Sequence, residues 1–457
     1  VAVGKAVPRS LSLETMSIPR PLILAVSALL VPVPALVPGL VPVANAQLCS
    51  EQSVRPFVTG SPAQPSNPVF AASSGSSWFG SGSSSAQPAP KAVPPALISD
   101  GPTRSLQFIT GPTSPDQTHS RWGITSTDLG VAYADGATTY LAFGDTGKCA
   151  PNNEFWRSNV LARTNDRNFG DGLTLTQALT PKGWSADGDA REFIGSRKED
   201  NVEMTTIPTA GIVVDGIHYV DYMSVRHWGA PGQWDTNYAA TVTSTDGANW
   251  SISPGSVRNN GLPALTPDGS AFDLGYDRLQ MAAFVEPHFA DEGDYIYRLS
   301  TPNGRFGSAY LSRAARAQFP DEDAFEYWDG DRWTSSPADL LLPKAAIFGP
   351  RVSELSVTYN SYLNLYVAMY LHEGKGMVVR TAPRLNGPWS AERLLIAQST
   401  IPQLYGGFIV PGQDDQHLYY VMSTFDDYNV YFMRTDLDFA LKHNLTTDNI
   451  TVDEVIN

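Results

Sequence analysis

TYLAFGD at residues 139–145 is an apolar, aromatic run that ends on Gly-Asp, and the chain returns to its pattern four more times: HYVDYMSV (218–225), YIYRLST (295–301), LYVAMYL (365–371) and LYYVMST (418–424). Each is followed by a second run carrying Arg or Thr: SNVLART (158–164), NYAATVTST (237–245), SAYLSRA (308–314), MVVRTAP (377–383) and VYFMRTD (430–436). None of these units has helical periodicity, and each is too short to be a domain. Apolar residues occupy both alternating sets of the central runs, as expected of sheets packed on both faces. The economical reading is an all-β fold, a five-bladed β-propeller. Its blades are expected at 107–180, 203–257, 280–342, 350–400 and 404–436. That architecture places function at a central funnel.

The repeat claims residues 107–440 of a 457-residue chain for one large domain. Residues 1–46 read as an upstream extension and a signal peptide: Met16, the basic Arg20, an apolar run from Pro21, and Ala44-Asn45-Ala46 before Gln47. Proline at 32, 34, 38 and 42 interrupts the run and no basic stop-transfer cluster follows. The expectation is therefore a secreted or cell-envelope protein with no stable membrane insertion after cleavage. Residues 47–106 are rich in Ser, Gly, Pro and Ala and read as a flexible linker, and 441–457 as a polar tail. The formal charge is −15, and removing the net +2 of residues 1–46 leaves −17. So acidic a chain is a poor partner for nucleic acid or an anionic membrane and accommodates a neutral ligand more easily. A monomer is expected. Cys49 and Cys149 permit one disulfide or two free thiols, and the sequence leaves both open.

A funnel is lined by the innermost strands, expected in GITSTDLGVAY (123–133), EMTTIPTAGIVV (203–214), QMAAFVEP (280–287), ELSVTYN (354–360) and LYGGFIVP (404–411). Three of these carry an acid where a structural strand prefers Val or Ile: Asp128, Glu203 and Glu354. Asp145 is a fourth, closing TYLAFGD. If the first two strands of blade one are neighbours, Asp128 and Asp145 approach one another near the axis. Two carboxylates across a cleft are what glycosidic cleavage needs, one ionised and one keeping a proton for the leaving oxygen. For a lone Asp, capping of backbone amides is the better reading; for the pair, catalysis is.

Polar and aromatic residues suited to sugars surround them: Arg226, His227, Trp228, Trp234, Asn237 and Tyr238 in SVRHWGAPGQWDTNY, then Arg305, Tyr405, and Asp426, Tyr428 and Asn429 in FDDYNV. Asp246 in TSTDGANW reads as a turn-stabilising residue. The seven histidines show no H-x-x-x-H or H-x-H spacing, and there is no P-loop or G-x-S-x-G elbow, so neither metal nor cofactor is expected.

The runs TSTDLG, LAFGDT, RSNVLARTNDR, IPTAGIVV, MSVRHWGAPGQWDTNYA, TPNGRFGSAYLSR, FEYWDG, ELSVTYN, VVRTAPRLNGPWS, LYGGFI and YNVYFMRTD closely resemble, in order, the secreted actinobacterial endo-D-arabinanases. These form glycoside hydrolase family 183, formerly domain of unknown function 4185, and the resemblance spans about 107–436. It implies a five-bladed propeller that hydrolyses internal α-1,5 links between D-arabinofuranose units of the cell-wall polysaccharides arabinogalactan and lipoarabinomannan. It carries the acidic catalysts onto Asp128 and Asp145, with inversion the expected outcome. Glu203 and Glu354 are expected to tune the pair or hold sugar hydroxyls. Lys148 and Cys149 directly after the catalytic strand, and the acidic loop VEPHFADEG, depart from the pattern. The rival reading is a non-catalytic carbohydrate-binding propeller of the envelope; retention of both aspartates argues against it.

Overall fold

A computed structural model describes residues 102–147, 156–261, 273–412, 416–425 and 427–438. Those residues form five antiparallel sheets, and each predicted central run lies second in its own sheet. The first two strands are Leu129–Asp135 and Thr138–Phe143 in sheet one, Thr205–Val214 and Ile217–Trp228 in sheet two, and Met281–Val285 and Tyr295–Thr301 in sheet three. They are Val352–Asn360 and Leu365–His372 in sheet four, and Leu404–Ile409 and His417–Thr424 in sheet five. Third strands follow at Val160–Thr164, Trp234–Ser244, Tyr310–Ala315, Gly376–Ala382 and Asn429–Asp436.

The second strands are buried on both faces and mostly apolar, the buried charges among them, Asp221 and Arg298, being paired with Arg258 and Glu322. In sheet four, every residue from Tyr366 to His372 is buried. Neighbouring sheets bury these faces against one another, as where Val367 and Met369 join Tyr420 and Met422 in one core while Tyr366, Ala368 and Tyr370 join a second. The first strands pack edge on: that of sheet one lies against those of sheets two and five, two against three, three against four, and four against five.

The ladder register fixes which loops share an end. Leu129 pairs with Phe143, Thr205 with Val225, Met281 with Thr301, Val352 with His372 and Leu404 with Thr424. The start of every first strand therefore lies beside the finish of every second strand. All five loops leaving the second strands emerge at that one end.

The strand Thr103–Phe108 pairs antiparallel with Asn429–Asp436 as the outermost strand of sheet five. The expected boundary at 106 thus falls inside a strand, and residues 103–106 belong to the last sheet rather than to a linker. Composition concealed it: Thr103 and Ser105 are small polar residues that are nonetheless buried, and Thr103 Oγ1 is 2.9 Å from Thr435 Oγ1. The signal segment, the rest of the linker, the C-terminal tail, Lys148 and the Cys49–Cys149 pair lie outside the described residues.

Candidate active site

Asp128 ends the approach to the first strand of sheet one, where Leu129 and Gly130 both take positive φ and the ladder shifts register before Val131. Such a bulge re-aims the adjoining side chain. The main chain is pinned at both sides: Leu129 N–H donates to Ser423 Oγ (2.8 Å), Thr127 N–H to Tyr428 O (2.8 Å) and Gly144 N–H to Asp128 O (3.1 Å). The carboxylate accepts from the Tyr405 hydroxyl at 2.9 Å on Oδ2, and the nearby Tyr428 hydroxyl also favours its anion. Its Oδ1 is buried and has no hydrogen-bond partner.

Asp145 follows the second strand of sheet one and accepts from Thr205 Oγ1 of sheet two at 2.6 Å. Glu203 Oε2 accepts from Ser224 Oγ (2.7 Å), and its Oε1 from Arg197 N–H (3.1 Å). Glu354 of sheet four takes positive φ at another register shift. Its Oε1 accepts from Arg305 Nε (3.1 Å) and Nη2 (2.9 Å), while Oε2 is buried without a partner. The Arg305 guanidinium lies 5.0 Å from the centre of the Tyr405 ring. All five sheets therefore contribute to one cluster: Asp128 and Asp145 from one, Thr205 from two, Arg305 from three, Glu354 from four, and Tyr405, Ser423 and Tyr428 from five; Glu203 opens the approach to Thr205 and is held by its own partners.

Burial dominates the electrostatics. Asp128 is pushed up to about 7 by burial and by Glu354, against the hydrogen bonds of Tyr405 and Tyr428 and the charge of Arg305. Asp145 is raised well above the carboxylate range by burial first and by Asp128 next, with Thr205 and Lys198 opposing. Burial and the neighbouring Asp128 carboxylate both disfavour the Asp145 anion, so the two acids resist being ionised together. A buried pair with one member ionised and one protonated is equipped for proton transfer in both directions. Among the described residues, no three His, Cys, Asp or Glu side chains are grouped as metal ligands.

The other expected residues divide. Asn237 is fully buried and its amide donates to Val202 O (2.9 Å) and Ser224 Oγ (3.0 Å), bracing the hydroxyl that serves Glu203. Trp234 is buried with its indole N–H on Met223 Sδ, and its ring meets Trp228 edge-on at 5.6 Å. Arg226 and His227 stand further out, the one paired with Asp235 (2.9 Å) and the other with Asp200 (2.7 Å). Asn429 accepts from Thr110 Oγ1 (3.0 Å) and donates to Asp427 O (3.1 Å), a tie for the incoming chain rather than a member of the acid cluster. Asp246 accepts from the amides of Ala248 and Asn249, the turn role expected of it. Sequence reasoning missed Thr205, Ser224 and Lys198. Thr205 had one available signal, its place two residues beyond Glu203, and so on the same face of an extended chain.

A family model described as "Domain of unknown function (DUF4185)" matches residues 113–434. No curated protein matches the sequence. Among solved structures, a "putative hydrolase" from Bacteroides ovatus superposes with TM-score 0.48 at 13% identity, over 73% of this chain and 90% of that one. An exo-β-1,3-galactanase from Phanerochaete chrysosporium gives 0.40 at 11% identity, over 74% and 64%. The catalytic domain of a GH62 α-L-arabinofuranosidase from Coprinopsis cinerea gives 0.38 at 14%, over 74% and 97%.

Proposed function

The chain belongs to the DUF4185 family, and from that premise and the geometry of its acids we propose that it is a secreted endo-acting glycoside hydrolase built on a five-bladed β-propeller. The observation that carries the reading is the buried pair Asp128 and Asp145, held at the end of the sheets where all five contribute. The circuit of contacts between first strands supports the five-bladed arrangement. The motifs shared with the endo-D-arabinanases support the substrate, internal α-1,5 links of D-arabinofuranose in arabinogalactan or lipoarabinomannan. A neutral polymer is also compatible with the acidity of the chain.

In this mechanism Asp145 gives its proton to the glycosidic oxygen as the bond from that oxygen to the anomeric carbon breaks. Asp128, as the base, takes a proton from the water that attacks the anomeric carbon from the opposite face, and the configuration inverts. Tyr405 and Tyr428 hold Asp128 in its anionic form, while Glu203 and Glu354 accept sugar hydroxyls. The enzyme works as a monomer in the cell envelope or outside it.

The test is incubation of the protein with mycobacterial arabinogalactan beside Asp145→Asn, with products resolved by chromatography. Short arabino-oligosaccharides appear with the wild type, and Asp145→Asn loses at least about a hundredfold in rate while still binding the polymer. A folded wild-type protein that binds D-arabinan and releases nothing would establish the carbohydrate-binding reading in its place.

A further inference from the structure

Among the described residues six large hydrophobic side chains stand exposed: Leu274, Phe306, Leu341, Leu342, Tyr362 and Phe425. Leu274, Leu341 and Leu342 lie in connections between sheets, and Tyr362 in the turn at the end remote from the acids. Phe306 and Phe425, 43% and 52% exposed, are the two on loops that leave second strands at the acid end. Of the two rings, that of Phe306 has the Arg351 guanidinium 5.7 Å from its centre.

Both are held firmly. Arg305 N–H donates to Gly232 O at 2.9 Å, and the Phe306 ring lies so close to Gly232 that a Cβ there would meet it at 3.4 Å. Phe425 N–H donates to Gln403 O at 3.1 Å, and its ring meets Tyr428 edge-on at 6.3 Å. Both connect to the catalytic carboxylate, Phe306 through two residues and Phe425 through one. Phe306 adjoins Arg305, whose guanidinium lies over the Tyr405 ring, and Tyr405 donates to Asp128. Phe425 meets the ring of Tyr428, whose hydroxyl favours the Asp128 anion. They reach it from sheets three and five, which are not neighbours in the circuit of first strands.

We infer that Phe306 and Phe425 are stacking platforms, each receiving the apolar face of one furanose ring, on the two sides of the bond that lies between Asp128 and Asp145. The inference rests on the glycosidase reading. A rigid aromatic face takes the apolar side of a sugar ring at little entropic cost, which suits a neutral polymer. With a platform on either side the cleft favours internal links of a neutral polymer over its ends.

The experiment is affinity electrophoresis of the full chain through gels containing D-arabinan, using Asp145→Asn to prevent turnover. Phe306→Ala and Phe425→Ala are added singly, and Phe306→Trp serves as the aromatic replacement. Each alanine weakens retention about five- to tenfold, equivalent to roughly 1–1.4 kcal/mol, while Phe306→Trp retains the polymer. In the otherwise wild-type chain the same alanines raise KM for the polymer more than they lower kcat. Thermal denaturation confirms that each variant is folded. Unchanged retention in both alanine variants overturns the platforms, even if the wild type hydrolyses the polymer. Retention that the alanines weaken, with no product from the wild type, sustains the platforms and defeats the hydrolase. An absence of any retention in Asp145→Asn overturns both.

Discussion

Gly144 leaves no room for a methyl group: a Cβ there would stand 2.3 Å from Asp128 Oδ1. The residue between the two strands' acids is thus small because one carboxylate lies across it. The hydroxyls on the other side set its charge. Removing the Tyr405 hydroxyl takes a donor from the anion alone, so Asp128 in Tyr405→Phe ionises above its present value of about 7. Asp128 must be ionised to accept a proton, so the acid limb of the kcat/KM profile moves to higher pH by about one unit, and activity at pH 6 falls more than at pH 8. Profiles of both proteins with D-arabinan decide it, and an unmoved limb sinks the assignment of Asp128 as base. Asp128, Asp145 and Tyr405 were legible because an acid in an apolar strand, or a Tyr before Gly-Gly, is locally anomalous. The outward ion pairs of Arg226 and His227 were not, because a loop's composition does not say which way its side chains turn.

Four of the five first strands shift register: between Leu129 and Val131, Pro208 and Ala210, Ser353 and Ser356, and Tyr405 and Phe408. Three of these fall at the strand's start, beside Asp128, Glu354 and Tyr405, where the functional side chains need directions that a regular pleat does not supply. The second strands could be read from sequence because two covered faces favour apolar and aromatic residues at both alternating sets of positions. The closing strand Thr103–Phe108 could not, because its partner lies more than three hundred residues away and its own buried residues include Thr103 and Ser105. It completes sheet five, and Asn429 fastens the chain that follows it at Thr110. A chain beginning at residue 102 keeps the whole of this strand. One beginning at residue 110 loses the strand together with Phe108 and Ile109, and about 3 kcal/mol or more with them. Denaturant titration of the two truncations checks this; equal midpoints would mean that sheet five does not need its outer strand.

On the scale of the molecule, apolar packing is non-directional, and sheets that meet only through it can slide. Between sheets two and three lies a contact that cannot slide. Arg258 is fully buried and donates through Nη2 to both oxygens of Asp221, at 2.7 and 2.6 Å, and through Nη1 to Glu322 at 3.2 Å. Glu322 is also gripped by Arg298 of sheet three and accepts from the Tyr327 hydroxyl at 3.1 Å. Asp221 accepts in addition from Thr241 and Thr209. Desolvating four charges is offset only while all of them remain paired. Arg258→Met strands the Asp221 anion in the core and should cost about 3–5 kcal/mol. Adding Asp221→Asn removes that anion, keeps an acceptor for one threonine while its NH2 can donate to the hydroxyl of the other, and leaves Glu322 with Arg298, so the double variant should recover most of the loss. Urea unfolding of the wild type, single and double variants measures the difference. If the double variant is no more stable than Arg258→Met, the network contributes through the shape of Arg258 and not through its charge. Activity on D-arabinan recovering alongside stability in the double variant would further show that this interlock holds sheets two and three for the acid cluster without entering its chemistry.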